Sequence, residues 1–234
     1  MKKQLYLSLI SIMYMIIMVI IIVVNSQALP SITIKKGHGN FEDYNYKTTY
    51  TLSGEWEIYY NEFIATDNID ITNLQKEYIT IPTKNKDLNY GYGYASYRIV
   101  LENVKSDEEI MLTLNSITGG YAVYLNRILL ITNDKLYRGN EKINFPNRFN
   151  NYITDNSNSL EIIIEVSNYQ LGYTGLRYPI EISSFYTFRR EFISYMVFWI
   201  AVISSLAFAS IYHFFVNGVR SIDTNAIFYA LFGI

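Results

Sequence analysis

The side chains here that could do chemistry are carboxylates, tyrosines, amides and arginines; cysteine is absent and histidine occurs twice, at His38 and His213. Without cysteine there is no disulfide, thiolate zinc site or Cys nucleophile, and two histidines do not make a His-rich metal centre. No metal and no cofactor is therefore expected. Glycoside hydrolysis would need two carboxylates held across the scissile bond at a defined separation. Glu55 and Glu57 are the notable pair, but they alternate along one strand-like stretch, which puts both on its solvent-facing side and reads as surface charge. No P-loop, nucleophile elbow or metal-ligand spacing occurs, and Gly91-Tyr92-Gly93 is too short to cradle phosphate. The expectation is a protein that is not an enzyme. Recognition fits the composition better. The chain has 23 Tyr, and aromatic faces stack on the apolar side of a small ring while amides and cations bond its hydroxyls. Tyr92, Tyr121, Tyr169 and Tyr173, with Asn168 and Arg177, fall at strand ends or turns and form the expected ligand mouth, against the plainer reading that abundant Tyr simply packs.

The elements that must position them are strands. Between Ser31 and Ser184, short alternating runs are separated by Gly, Asn, Asp and Ser clusters. In Glu55 to Tyr60 the residues Trp56, Ile58 and Tyr60 share one face; Trp56 is expected in the core. In Tyr94 to Leu101 the inward set is Ala95, Tyr97, Ile99 and Leu101, with Ser96 and Arg98 opposite. Ile110, Leu112 and Leu114 repeat the rhythm. Tyr121 to Leu125 and Ile128 to Ile131 suggest a hairpin, and Arg127 tolerates a positive φ poorly, so a turn longer than the pair Asn126-Arg127 is expected. Residues 133–159 read as a long polar loop with one short strand. Leu160, Ile162, Ile164 and Val166 then face one way, and Glu161, Glu165 and Ser167 the other. Pro179 to Ser183 is the last strand, and Thr72 to Glu77 the single stretch that suits a helical turn. His38 reads as an exposed loop residue. Seven or more such strands predict an all-β, antiparallel sandwich.

Phe192 to Val216 is different: 25 residues without an acid, Lys, Arg or Pro, more than the roughly 20 needed to cross a bilayer as a helix. Lipid is thus an expected partner, and residues 192–216 are the expected first transmembrane helix. Residues 224–234 read as the start of a second span, so the chain reads as the front of a longer membrane protein. At the other end, Lys2 and Lys3 precede the apolar run Leu5 to Val24 and then Ser26-Gln27-Ala28. Residues 1–28 are a cleaved signal peptide or an uncleaved anchor, and either one exports the segment after it. Residues 29–188 become the extracytoplasmic domain. Lys2, Lys3 and Arg220 are the only cations outside Leu29 to Ile193, and Asp223 the only acid, which leaves 16 Lys+Arg against 20 Asp+Glu inside it. That balance excludes a nucleic-acid partner. A homodimer through the membrane helices is a further expectation.

Leu52-Ser53-Gly54-Glu55-Trp56-Glu57, Gly93-Tyr94-Ala95-Ser96-Tyr97-Arg98, Tyr121 to Asn126 and Glu165-Val166-Ser167-Asn168 succeed one another in an order that resembles the jelly-roll ectodomain of bacterial seven-transmembrane receptors with diverse intracellular signalling modules. Tyr212-His213, Arg220 and Ala226 to Phe232 resemble the junction of spans one and two in the same receptors. The resemblance covers about Lys35 to Ile234. That ectodomain is similar to the galactose-binding-like jelly roll of family 2 glycoside hydrolases. The resemblance implies a jelly-roll sensor for a carbohydrate or small-molecule ligand in the bacterial cytoplasmic membrane, with interhelical packing or hydrogen bonding for His213. Two features depart from the pattern: Arg127 stands where a hairpin glycine is usual, and the Trp often found between Ile81-Pro82 and Gly93 is absent. Arg189, Arg190 and Glu191, placed between the last strand and the helix, are the expected mechanical joint. The alternatives are an anchored carbohydrate-binding or adhesion module that does not signal, and a catalytic subunit completed by another chain.

Overall fold

The computed structural model describes residue 13 and residues 28–42, 44–45, 47–82, 93–104, 109–114, 117, 119–133, 136, 138, 149–153, 158–168 and 175–219. Both expected N-terminal readings of 1–28, and the expected second span at 224–234, lie outside the described residues apart from Met13 and Ala28.

The strands are β1 (Ser31–Ile34), β2 (His38–Asn40), β3 (Tyr50–Tyr60), β4 (Glu77–Ile81), β5 (Gly93–Glu102), β6 (Ile110–Leu114), β7 (Gly120–Leu125), β8 (Ile128–Thr132), β9 (Phe149–Ile153), β10 (Ser159–Asn168) and β11 (Ile180–Ser184). The expected antiparallel sandwich is observed, built as one curled sheet in the order β8-β7-β10-β5-β3-β11-β6-β9. β3 makes the curl possible. Its 11 residues pair with β11 through Tyr50 to Leu52 and with β5 through Glu57 to Tyr60, so one strand serves both layers. β1 on β3 and β2 on β5 are parallel exceptions. Gly54 lets β1 in: at φ 128° a side chain there would strike the Ile34 backbone.

Between the layers lie Trp56, Ile58, Tyr97, Ile99, Leu101, Leu112, Val123, Ile162, Ile164 and Ile182, all within the buried core. Each aliphatic side chain among them contributes about 1.5–3 kcal/mol by leaving water. The inward sets expected for β5 and β10 are therefore the observed ones. Trp56 and Ile58 are inside as expected, whereas Tyr60, at the strand end, is exposed.

The opposite face corrects the expectation. Glu57 and Glu165 do not face solvent; they are 1% and 0% exposed. The reason is a strap, residues 61–76, that crosses this face and lays Ile64, Ala65, Ile71 and Leu74 on Tyr59, Ala122, Tyr124 and Ile163. It carries a 3-10 turn at Ile71–Asn73, capped by Asp70, whose carboxylate accepts from Thr72 N at 3.0 Å. Glu55 is exposed as expected. His38 has its side chain half-exposed as expected, although it belongs to β2 and meets Glu102 at 3.1 Å.

The hairpin is a second correction. The turn between β7 and β8 has two residues, with φ 45° at Asn126 and 65° at Arg127, the primed geometry that matches strand twist. Asn126 accepts from Glu161 N at 2.8 Å through its side chain, and the Arg127 guanidinium donates to Ile69 O at 3.1 Å and lies 3.6 Å from Glu161. These bonds hold Arg127 where glycine is the easier residue.

The third correction concerns the helix. α1 runs from Phe185 to Val219, 35 residues and about 52 Å at 1.5 Å per residue. It starts directly after β11. Ser184 caps it by accepting from Thr187 N at 3.1 Å, and Phe185 N donates to Glu109 O at 2.8 Å. Arg189, Arg190 and Glu191 thus lie inside the helix, in its first two turns, because a cap is available seven residues earlier than the apolar run suggests. Within Phe185 to Ile211 an 18-residue window reaches a mean hydropathy of 2.0, apolar enough to cross a membrane, and the helix leaves Phe192, Val197, Ile200, Ile203 and Phe208 exposed.

Candidate functional site

The expected mouth is not assembled by its described members. Tyr121 is wholly buried on β7, opposite Val166, and burial pushes its phenol up to about 12. Its ring presents no face to a ligand. Asn168 ends β10 against Gly93 and is 2% exposed, whereas Arg177 is exposed. Tyr92, Tyr169 and Tyr173 lie outside the described residues.

Register brings a set of charges together instead. Glu57 of β3 faces Arg98 of β5, and Glu161 of β10 stands diagonal to it. The Arg98 guanidinium donates to Glu57 at 2.7 Å and to Glu161 at 2.5 Å; Lys76 and the Tyr59 hydroxyl reach Glu57 at 2.5 and 3.0 Å. Burial pushes the Glu57 carboxyl up, but the hydrogen bonds from Lys76, Arg98 and Tyr59 outweigh it and hold the acid below the usual carboxylate range. Burial and the neighbouring Glu57 charge raise Tyr59. Farther along the face, Glu165 accepts from Ala65 N at 2.6 Å, Thr66 N at 3.1 Å and the Thr66 hydroxyl, which also meets the Tyr124 hydroxyl at 2.6 Å. Here burial wins over those bonds, and the Glu165 carboxyl is raised. Two perturbed carboxylates are a reason to ask about catalysis. Glu57, however, is locked in its ionised form by cations, and Glu165 is sealed under the strap, so the geometry serves to hold the strap down.

An accessible concavity lies at another place. A cleft of about 300 Å³ is lined by Ser31, Ile32 and Thr33 of β1, Asn40 at the end of β2, Tyr44, and Tyr50 at the start of β3. The Tyr44 and Tyr50 rings pack 4.9 Å apart, and Phe41 packs on Tyr44 at 4.7 Å. Asn40 is held by Glu42 N and Asn103 Nδ2, each donating to its Oδ1 at 2.9 Å. Among the described residues, hydroxyls, an amide, an isoleucine and two aromatic rings line the cleft, and no charged side chain does. Such a lining can take a small neutral ring bearing hydroxyls.

The loop that supplies Tyr44 and Tyr50 also reaches the helix. Asn45 organises it, its carbonyl accepting from Thr48 N at 3.0 Å, its side chain accepting from Lys47 N at 3.0 Å and its own N–H donating to the Tyr50 hydroxyl at 3.4 Å. On the far side the Thr49 hydroxyl donates to Glu191 at 2.8 Å, and Arg190 donates to Lys47 O at 3.0 Å. Two of the three expected joint residues thus grip the cleft loop. Tyr44, Lys47, Thr49 and Tyr50 escape a reading of the sequence because aromatic density is uninformative in so tyrosine-rich a chain. The Asn45-x-Lys47 turn is the available local signal.

No family model matches the chain, and no curated protein does. Solved structures do. A Ruminococcus gnavus β-glucuronidase has a TM-score of 0.45 at 15% identity, over 58% of this chain and 28% of that one. A Faecalibacterium prausnitzii β-glucuronidase has a TM-score of 0.43 at 13% identity, over 58% of this chain and 31% of that one. The chain therefore spans less than a third of the length of the β-glucuronidases it matches, and the likeness bears on neither activity nor ligand.

Proposed function

We propose that this chain is the sensor end of a bacterial membrane receptor, with residues 29–188 outside the cytoplasmic membrane, residues 192–216 as the first span and residues 224–234 opening a second. Its ligand is a small carbohydrate or a molecule of like chemistry, and its mechanism is a population shift in which binding favours one seating of the sandwich on the helix. The observation that carries this reading is the direct run of β11 into α1, with Ser184 as both the last strand residue and the helix cap. A tether for an adhesion module works through a flexible linker. A sensor needs a joint that passes movement on, and a strand continuous with an apolar helix is such a joint.

The test is the reading frame beyond residue 234 together with the mass of the native product from membranes. About five further apolar runs followed by a cytoplasmic output domain are expected. A stop codon directly after Ile234, with a matching mass, overturns signalling by this chain and leaves an anchored binding module.

A further inference from the structure

We propose that the Tyr44–Tyr50 segment is a coupling element: a neutral, hydroxyl-rich ring held in the cleft between β1 and this segment reports its presence to the helix through the Thr49–Glu191 and Lys47–Arg190 contacts. The inference rests on the sensor reading and assigns its ligand site and its line of transmission. Three observations carry it. The same short segment forms a wall of the cleft, through Tyr44 and Tyr50, and the seat of the helix, through Lys47 and Thr49. Only one peptide bond separates Tyr50, whose ring lines the cleft, from Thr49, which is 6% exposed and whose hydroxyl is committed to Glu191. Tyr50 also pairs with Ile182 of β11, two residues before the helix cap, so the segment and the last strand act on the same end of α1.

The lining sets the ligand class. A charged ligand would find no counter-ion among Ser31, Ile32, Thr33, Asn40, Tyr44 and Tyr50, and burying an unpaired charge is costly. A neutral ring with one apolar face suits the tyrosines, and its hydroxyls suit Ser31, Thr33 and the fixed Asn40 amide. The volume, near the lower end of ligand pockets, suits a single ring. Thermodynamic reciprocity sets the line of transmission. In the proposed coupling the cleft takes its ligand better with the Thr49–Glu191 bond made, so the ligand stabilises that bond and the bond strengthens ligand binding by the same factor.

The full chain in phospholipid nanodiscs, titrated with methyl β-D-glucopyranoside and methyl β-D-galactopyranoside by calorimetry, tests this. Saturable binding of one probe is expected. Thr33→Trp, which fills the cleft from an exposed strand position and carries little risk to folding, should abolish it, and Tyr50→Phe should weaken it. Thr49→Val should weaken binding on the order of fivefold, and Thr49→Ser, which keeps the hydroxyl, should restore it. In wild type the probe should slow amide exchange at residues 186–192, and in Thr49→Val it should not. Binding that survives Thr33→Trp but is lost in Arg177→Ala overturns the cleft as the site. Binding that Thr49→Val leaves within twofold of wild type overturns the coupling, and saturation by neither probe overturns the ligand class. None of these outcomes alters the reading frame beyond residue 234, so the inference and the sensor reading fail separately.

Discussion

On one face of β3, β5 and β10, the residues Trp56, Ile58, Tyr97, Ile99, Ile162 and Ile164 meet other apolar side chains across the sandwich. On the other face of the same strands, Glu57, Arg98, Glu161 and Glu165 lie under the 61–76 strap. The first face excludes water and the second does so at Glu57 and Glu165, but different forces hold them. The first gains from burial alone and tolerates small changes of shape. The second gains only while every charge keeps its partner, since a buried charge that loses one is strongly destabilising. The inner face is the less well satisfied of the two in one respect: Trp56 Nε1 and the Tyr97 hydroxyl are buried with no hydrogen-bond partner among the described residues.

Neighbouring residues of β5 break this comparison most sharply. Arg98→Met should cost about 3 kcal/mol, the low end for breaking a buried ion pair, because Lys76 still reaches Glu57. Tyr97→Phe, one residue away on the inner face, should be neutral or stabilise by up to about 1 kcal/mol, since it deletes an unsatisfied hydroxyl and keeps the ring. Urea unfolding followed by near-UV circular dichroism measures both. A larger loss at Tyr97 than at Arg98 would invert the assignment of forces to faces.

The two buried acids sharpen it further, because their pH slopes oppose each other. Glu57 has a lowered folded pKa, so it contributes stability above the unfolded carboxylate value of about 4.3, and this is lost as pH falls through the folded value. Glu165 has a raised folded pKa. Its contribution is complete below about pH 4.3 and is lost as pH rises through the folded value. Glu57→Gln should therefore cost about 2 kcal/mol at pH 7, with the gap to wild type closing towards pH 3. Glu165→Gln should stay within about 1 kcal/mol of wild type, because the Thr66 hydroxyl can turn to accept from the new amide, and should gain on wild type between pH 4 and pH 7. Parallel slopes for the two variants would show that the strap face behaves as one electrostatic unit.

The inner face is legible in the sequence and the strap face is not. Ala95, Tyr97, Ile99 and Leu101 alternate with polar residues, and alternation reports which side of a strand is apolar. It does not report whether the polar side is wet. That depends on residues 61–76, which have no usable periodicity and are held by bonds such as Ala65 N to Glu165, 100 positions away. The helix is half legible for a similar reason. The apolar run marks residues 192–216, but nothing in it assigns the first two turns, Phe185 to Glu191, to the helix until Ser184 is seen capping Thr187. The cleft is illegible because no local pattern brings Ser31 to Tyr50; the parallel pairing of β1 with β3 does so.

Arg127 tests whether the strap face depends on its outermost cation. Its φ of 65° costs an ordinary residue about 1–2 kcal/mol, and Arg127→Gly removes that cost. The same change deletes the donation to Ile69 O, worth about 0.5–1.5 kcal/mol, and the 3.6 Å approach to Glu161, where Arg98 remains as the closer partner. The two effects nearly cancel, so Arg127→Gly is expected within about 1 kcal/mol of wild type in the same urea titration. A stabilised variant would mean that the guanidinium merely covers the turn. A loss above about 2 kcal/mol would mean that Arg127 ties the strap to the β7–β8 hairpin, and that the strap face extends past Arg98 to the edge of the sheet.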